Sequence, residues 1–284
     1  MKHINKTIDT GRIKLAYIER GNADGIPVLA IHGWLDNAAS FECLADKMEL
    51  ANVRLIAVDL PGHGLSDHRN SGQIYHLMDY VVDVVGAIKA LGLEQVVILG
   101  HSLGGIVGLL TASAIPSMVS RLILLDSFGP MVDRDDQVAE QLRKSVSKIC
   151  LSRPRPARVY SSIDEAVSAR LGGFGKIKPS AARILLDRGL VKVEGGYTWA
   201  TDPRLREPSL VRLSESQVKG FMAAIECPVC LIAASEGYVS LESKLNPRLS
   251  YLSNLEAHQV SGHHHFHLDG DVAATARIIN QFLA

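Results

Sequence analysis

The chain has 284 residues, with 30 Lys and Arg against 30 Asp and Glu, a formal net charge of zero and 47% hydrophobic residues. It is too apolar for a disordered chain, and it has no low-complexity bias. The balanced charge offers no electrostatic footprint for nucleic acid or an anionic membrane.

A chain of this length buries enough surface for one sizeable core. No apolar stretch reaches the about 18 residues that read as a membrane span, and Met1-Lys2-His3-Ile4-Asn5 lacks a signal-peptide apolar region. Cys43, Cys150, Cys227 and Cys230 are too few and too scattered for a disulfide scaffold. Cys227-Pro228-Val229-Cys230 opens a β-branched run, and strand geometry sends its two thiols to opposite faces, against metal or redox use. The expectation is a reduced cytoplasmic protein.

In chain order, Ile4–Ile8 and Ile13–Ile18 read as strands joined by a Thr10-Gly11 turn. Pro27–Ile31 and Val53–Val58 are compact apolar runs, and Phe41, Leu44, Ala45 and Met48 lie between them at helical spacing. Tyr80, Val81, Val84, Val85, Ile88 and Leu91 mark an amphipathic helix ending at Gly92. Then come Val96–Leu99, a Gly-rich turn, a small-residue helix from Leu103 to about Ala114, and Leu122–Leu125. Short apolar runs separated by helices predict buried parallel strands of an α/β sheet.

After Asp126 the text becomes polar, Arg-rich and helix-like up to Ala224. Strand signals resume at Val229–Ala233 and Leu255–Val260, and Val272–Phe282 closes as a helix. The simplest organisation is a core domain of residues 1–126 and 225–284, interrupted by a helical cap over 127–224.

The chemistry sits at strand ends. Gly100-His101-Ser102-Leu103-Gly104 leaves a strand and opens a helix, the context of a G-x-S-x-G nucleophile elbow. Its glycines spare the sharp turn a clash with the neighbouring strand and helix, and the turn projects Ser102. Ile31-His32-Gly33-Trp34 leaves the preceding strand at the edge where ligands bind in open α/β sheets. The backbone N–H groups of Trp34 and Leu103 are therefore the expected oxyanion donors. His32 reads as a hydrogen-bonded structural histidine. Asp59-Leu60-Pro61-Gly62-His63-Gly64-Leu65-Ser66 follows the strand Val53–Val58.

Taken together in this order and spacing, the three segments resemble the α/β-hydrolase fold superfamily, of serine hydrolase-like or carboxylesterase type, over about residues 10–126 and 226–284. Gly196-Tyr197-Thr198-Trp199 and Thr201-Asp202-Pro203-Arg204 resemble the cap of serine hydrolase-like esterases more weakly. The resemblance implies a mostly parallel central sheet flanked by helices, with a helical cap inserted after the sixth strand. It also implies a catalytic histidine after the last strand. Ser261-Gly262-His263-His264-His265-Phe266-His267-Leu268-Asp269 offers four histidines, and His264 fits the family register. His263, His265 and His267 are expected to shape the loop or line the pocket.

For the triad acid, the resemblance implies an Asp just after Val229–Ala233, where this chain reads Ala234-Ser235-Glu236-Gly237. Two acids remain. Asp126 ends the strand Leu122–Leu125, where certain haloalkane dehalogenases carry theirs; Glu236 is the alternative. Around the pocket, His32, His101, Phe128 and Trp199 are the expected lining, with Met118, Met131, Phe174 and Met222 as further apolar candidates. Arg153-Pro154-Arg155-Pro156, Arg204, Arg206 and Arg212 read as solvated faces of helices, with a preference for acidic substrates as the alternative.

The implied function is a serine esterase for small uncharged esters, acting through an acyl-enzyme without metal or organic cofactor, and without nucleic-acid or membrane partners. A Ser nucleophile argues against dehalogenase or epoxide hydrolase chemistry. A carbon–carbon bond hydrolase or a perhydrolase on the same triad remains open, as does a non-catalytic ligand-binding relative, favoured by the glycine at 237. Oligomeric state is not legible.

Overall fold

The computed structural model describes residues 5–151, 157–173, 175–242, 244 and 246–284. The run Arg153–Pro156 and Phe174, considered above, lie outside the described residues.

The chain opens with the antiparallel pair β1 (Asn5–Asp9) and β2 (Lys14–Gly21), followed by β3 (Ile26–Ile31), α1 (Glu42–Ala45) and β4 (Val53–Val58). α2 (Leu77–Ala90), β5 (Val96–His101), α3 (Leu103–Ala114) and β6 (Val119–Leu125) follow. An inserted segment then carries α4 (Val138–Val146), α5 (Ile163–Leu171), α6 (Pro179–Gly189), the hairpin β7 (Leu190–Val193) and β8 (Gly196–Trp199), and α7 (Glu215–Ala223). β9 (Val229–Glu236), β10 (Leu255–His263), α8 (Phe266–Asp269) and α9 (Val272–Leu283) complete the chain.

Eight strands form one sheet in the order β1-β2-β4-β3-β5-β6-β9-β10. From β4 to β10 all neighbours run parallel; β1 and β2 are antiparallel at one edge. This is an α/β-hydrolase fold. The central strands are apolar on both faces because helices cover both. In β5, Ile98 packs into one layer with Val84 and Ile88 of α2, whereas Val97 and Leu99 join the opposite layer with Ile279 of α9. Leu122 and Leu124 of β6 divide from Ile123 and Leu125 in the same way. This is the period of two that a strand imposes. Each such fully buried Leu or Ile contributes roughly 1.5–3 kcal/mol relative to an exposed one.

The expected helix around Phe41 is mostly a 3-10 turn, Ala38–Phe41, running into the single turn of α1. Its apolar residues are buried all the same, so the spacing reported burial correctly and helix length poorly. The largely helical reading of 127–224 missed one element, the hairpin of β7 and β8 paired around Gly195-Gly196. Tyr160, Ala166, Val167, Ala182 and Leu186 give this segment a small core of its own. It is tied down where Arg188 donates to the buried Asp59 at 2.8 Å and Tyr75 Oη donates to Asp202 at 2.8 Å.

Candidate active site

Ser102 stands between the end of β5 and the start of α3 with φ 51° and ψ −115°. A positive φ at a residue with a Cβ costs about 1–3 kcal/mol and persists only where the surroundings impose it. Here the Ser102 N–H donates to Leu125 O at 3.1 Å, and its carbonyl accepts from Ser127 Oγ at 2.7 Å and from the Gly105 and Ile106 amides. A Cβ on Gly105 would meet Ser127 Oγ at 2.6 Å, which explains the small residue there. The neighbouring loop presses against this turn, since a Cβ on Gly33 would lie 3.3 Å from Ser102 Cβ.

His264, at the end of β10, is 4% exposed, and its Nδ1–H donates to Asp126 Oδ2 at 2.6 Å. Asp126 follows β6 with φ 43°, a conformation that Asp tolerates better than most residues. Its carboxylate also accepts the backbone N–H groups of Tyr238 at 2.9 Å and Val239 at 3.2 Å. Those three donors fix the carboxylate, and the carboxylate fixes the imidazole tautomer. The Tyr238 ring covers the imidazole at 4.4 Å between centroids.

Glu236 goes elsewhere. It is 64% exposed at the side chain and meets His263 Nδ1 at 3.2 Å. Gly237, at the position where the resemblance implies an acid, is filled by its neighbour: a Cβ there would stand 2.6 Å from Asp126 Cγ.

The four residues expected to line the pocket have other partners. His32 is fully buried, donates from Nδ1 to Gly33 O at 2.7 Å and accepts the Leu60 N–H at Nε2, so it braces two loops instead of lining a pocket. Burial pushes its pKa down to about 4. His101, also fully buried, donates from Nε2 to the carbonyl of His264 at 2.9 Å and supports the histidine from beneath. Burial, reinforced by His267, His264 and His265, holds its pKa well below the usual imidazole range. Phe128 is 5% exposed and belongs to the main core, while Trp199 stacks edge-on against Tyr160 within the inserted segment and donates to its hydroxyl at 2.9 Å. Trp34 donates its indole N–H to Leu205 O at 2.9 Å, tying its loop to the inserted segment.

His265 and His267 of the same loop are buried. His267 Nε2 pairs with Ser40 Oγ at 2.9 Å, and burial lowers its pKa to about 3. His265 Nε2 donates to Asp36 Oδ2 at 3.0 Å, while Arg170 donates to Asp36 Oδ1 at 3.2 Å. Asp36, His101 and His265 each bring a donor atom within 4.8 Å of the others, but both Asp36 oxygens are already engaged. Cys230, Glu256 and His258 form a second such group across β9 and β10.

The α/β hydrolase fold profile matches residues 26–151. A serine hydrolase-like protein of Dictyostelium discoideum is 31% identical over 264 residues, covering 89% of this chain and 73% of that protein. The chain belongs to the α/β-hydrolase family. Human serine hydrolase-like protein 2 is 30% identical over 280 residues, covering 93% of this α/β hydrolase and 88% of the human protein. A crystal structure of a hypothetical protein from Pseudomonas aeruginosa PAO1 superposes with a TM-score of 0.92 at 41% identity, over 98% of each chain.

No described helix of this α/β hydrolase is long and apolar enough to cross a membrane. Asp36, Arg170 and Tyr238 carry no motif and were missed by sequence reasoning. Only Asp36 had a signal, its place two residues beyond Trp34.

Proposed function

We propose that the chain is a serine hydrolase of small carboxylic esters, with Ser102 as nucleophile, His264 as general base and Asp126 as the orienting acid. The observation that carries this reading is the 2.6 Å contact of His264 Nδ1 with Asp126, formed at the sheet edge that also holds the strained Ser102 turn. Because Nδ1 holds its proton against the carboxylate, Nε2 is left with the lone pair that a base needs.

In this mechanism His264 Nε2 takes the Ser102 hydroxyl proton as Oγ attacks the ester carbonyl. The backbone N–H groups of Trp34 and Leu103 hold the developing oxyanion, a contribution of about 10²–10³ in rate per donor. His264 then protonates the departing alcohol. Water, deprotonated by the same imidazole, releases the acid and restores the serine. Asp126 stabilises the imidazolium in both halves. The inserted segment, joined to the Trp34 loop through Leu205, serves as the cap over the alcohol or acyl side.

Turnover of short p-nitrophenyl esters tests the proposal. Ser102→Ala is expected to abolish it while leaving the circular dichroism spectrum unchanged. Equal turnover by the variant would overturn the reading.

A further inference from the structure

The carboxylate of Asp36 is 2% exposed and stands where three segments meet. Its own loop is the one carrying Trp34, and its N–H donates to Gly33 O at 3.1 Å, closing that loop into a turn. Its Oδ2 accepts from His265, the residue after His264, and its Oδ1 accepts from Arg170 at the end of α5 in the inserted segment. Arg170 is itself only 13% exposed at the side chain and also reaches the carbonyl of Gly175. The inserted segment then rests on the histidine loop, since a Cβ on Gly175 would stand 2.6 Å from His265 Cε1. On the far side Lys178 donates its backbone N–H and its ammonium to Asp269, at the end of the same loop.

Other ties among the described residues bind the inserted segment to one loop at a time. Asn37 and Trp34 reach it from the oxyanion loop, and Asp269 reaches it from the histidine loop. Asp36 joins both loops to it through one group. A buried carboxylate needs its charge met, and its pKa is informative. Burial acts to raise it, yet His265 and Arg170 outweigh that and hold it well below the usual carboxylate range.

We infer that Arg170 and Asp36 are positioning residues, a latch by which the docked cap aligns the oxyanion loop with the histidine loop. The inference rests on the serine-hydrolase reading given above. Without the Arg170 guanidinium, Asp36 loses its tie to the inserted segment and keeps His265, so the two loops lose their common anchor. Misplacement of reacting groups by about 1 Å costs on the order of a hundredfold in rate. Neither residue needs to touch a small substrate, so the loss falls on kcat.

The test compares the parent with Arg170→Met, Arg170→Lys and Asp36→Asn on p-nitrophenyl acetate. The expected result is a kcat about ten- to a hundredfold lower for Arg170→Met with KM within about twofold, and recovery of most of the loss by Arg170→Lys. A kcat within about twofold of the parent overturns the latch, as does a loss confined to KM. If Arg170→Met does not fold, Asp36→Asn, which keeps the shape of the carboxylate, is judged by the same criteria.

A second readout does not need turnover. In a Ser102→Ala background, the low-field proton resonance of His264 Nδ1–H reports its alignment with Asp126. Adding Arg170→Met is expected to broaden or remove that signal, and an unchanged resonance overturns the latch. If the parent hydrolyses no ester, the serine-hydrolase reading fails, and this resonance alone decides the latch.

Discussion

Gly237 and Asp126 compete for one volume: a Cβ on the glycine would lie 2.5 Å from Asp126 Oδ2. Just beyond β9, Gly237 therefore stands where the resemblance implies an acid, and the carboxylate arrives there from β6 instead. Asp126 meets His264 Nδ1 at 2.6 Å and is held by the Tyr238 and Val239 amides just beyond the glycine.

Gly237→Ala is expected to displace the Asp126 carboxylate and to destabilise the protein by about 1–3 kcal/mol, as overpacking does. Urea titration checks the stability and ester turnover checks the site. Moving the acid in the double variant Asp126→Gly, Gly237→Asp is expected to return activity above that of Asp126→Gly alone.

Asp126→Asn removes the charge and offers Nδ1 an amide that sets the wrong tautomer. The expected loss in kcat is on the order of 10³–10⁴. Glu236→Gln, on an exposed side chain that faces His263, is expected to stay within about twofold of the parent. Steady-state rates for the two variants decide between the acids.

Acid is expected to weaken the fold well before the carboxylates of an ordinary protein titrate. Burial lowers the pKa of His32 to about 4 and of His63 and His267 to about 3, and it lowers that of His101 as well. Unfolded, these imidazoles take protons below about pH 6.5, while in the folded protein they remain neutral. The unfolded state thus binds more protons, and stability falls as pH drops from about 6.5 toward 4. Asp36, whose folded pKa is depressed, adds a loss of the same sign below about pH 4. Urea midpoints at pH 7.5 and pH 5 check this; equal midpoints would contradict it.

Arg188 is 6% exposed and faces Asp59, which is fully buried and also accepts the Ala38 and Leu65 amides. Arg188→Leu strips the counter-charge from a buried carboxylate, with an expected cost of about 3–5 kcal/mol. The measurement is the urea-unfolding free energy at neutral pH, with Asp59→Asn, Arg188→Leu expected to recover part of it.

Much of this was legible in the sequence. Val96–Leu99 and Leu122–Leu125 announced themselves as strands because burial on both faces leaves a continuous apolar run, and Gly100 to Gly104 marked the turn between strand and helix. The hairpin of β7 and β8 was missed because its residues are half-buried or exposed and its alternation is shallow. His32 and His101 were set beside the pocket because they adjoin the motifs in sequence. In space the side chains turn inward, under the loops that the motifs expose. The Asp36, Arg170 and His265 cluster spans separations of 134 and 229 residues, which no local pattern reveals.

The central claim, that His264 and Asp126 activate Ser102, is tested most directly by a fluorophosphonate probe with peptide mass spectrometry. The account predicts one adduct, on Ser102, formed rapidly in the parent, greatly slowed in His264→Ala and absent from Ser102→Ala. No adduct on the folded parent, or an adduct on another residue, would contradict it.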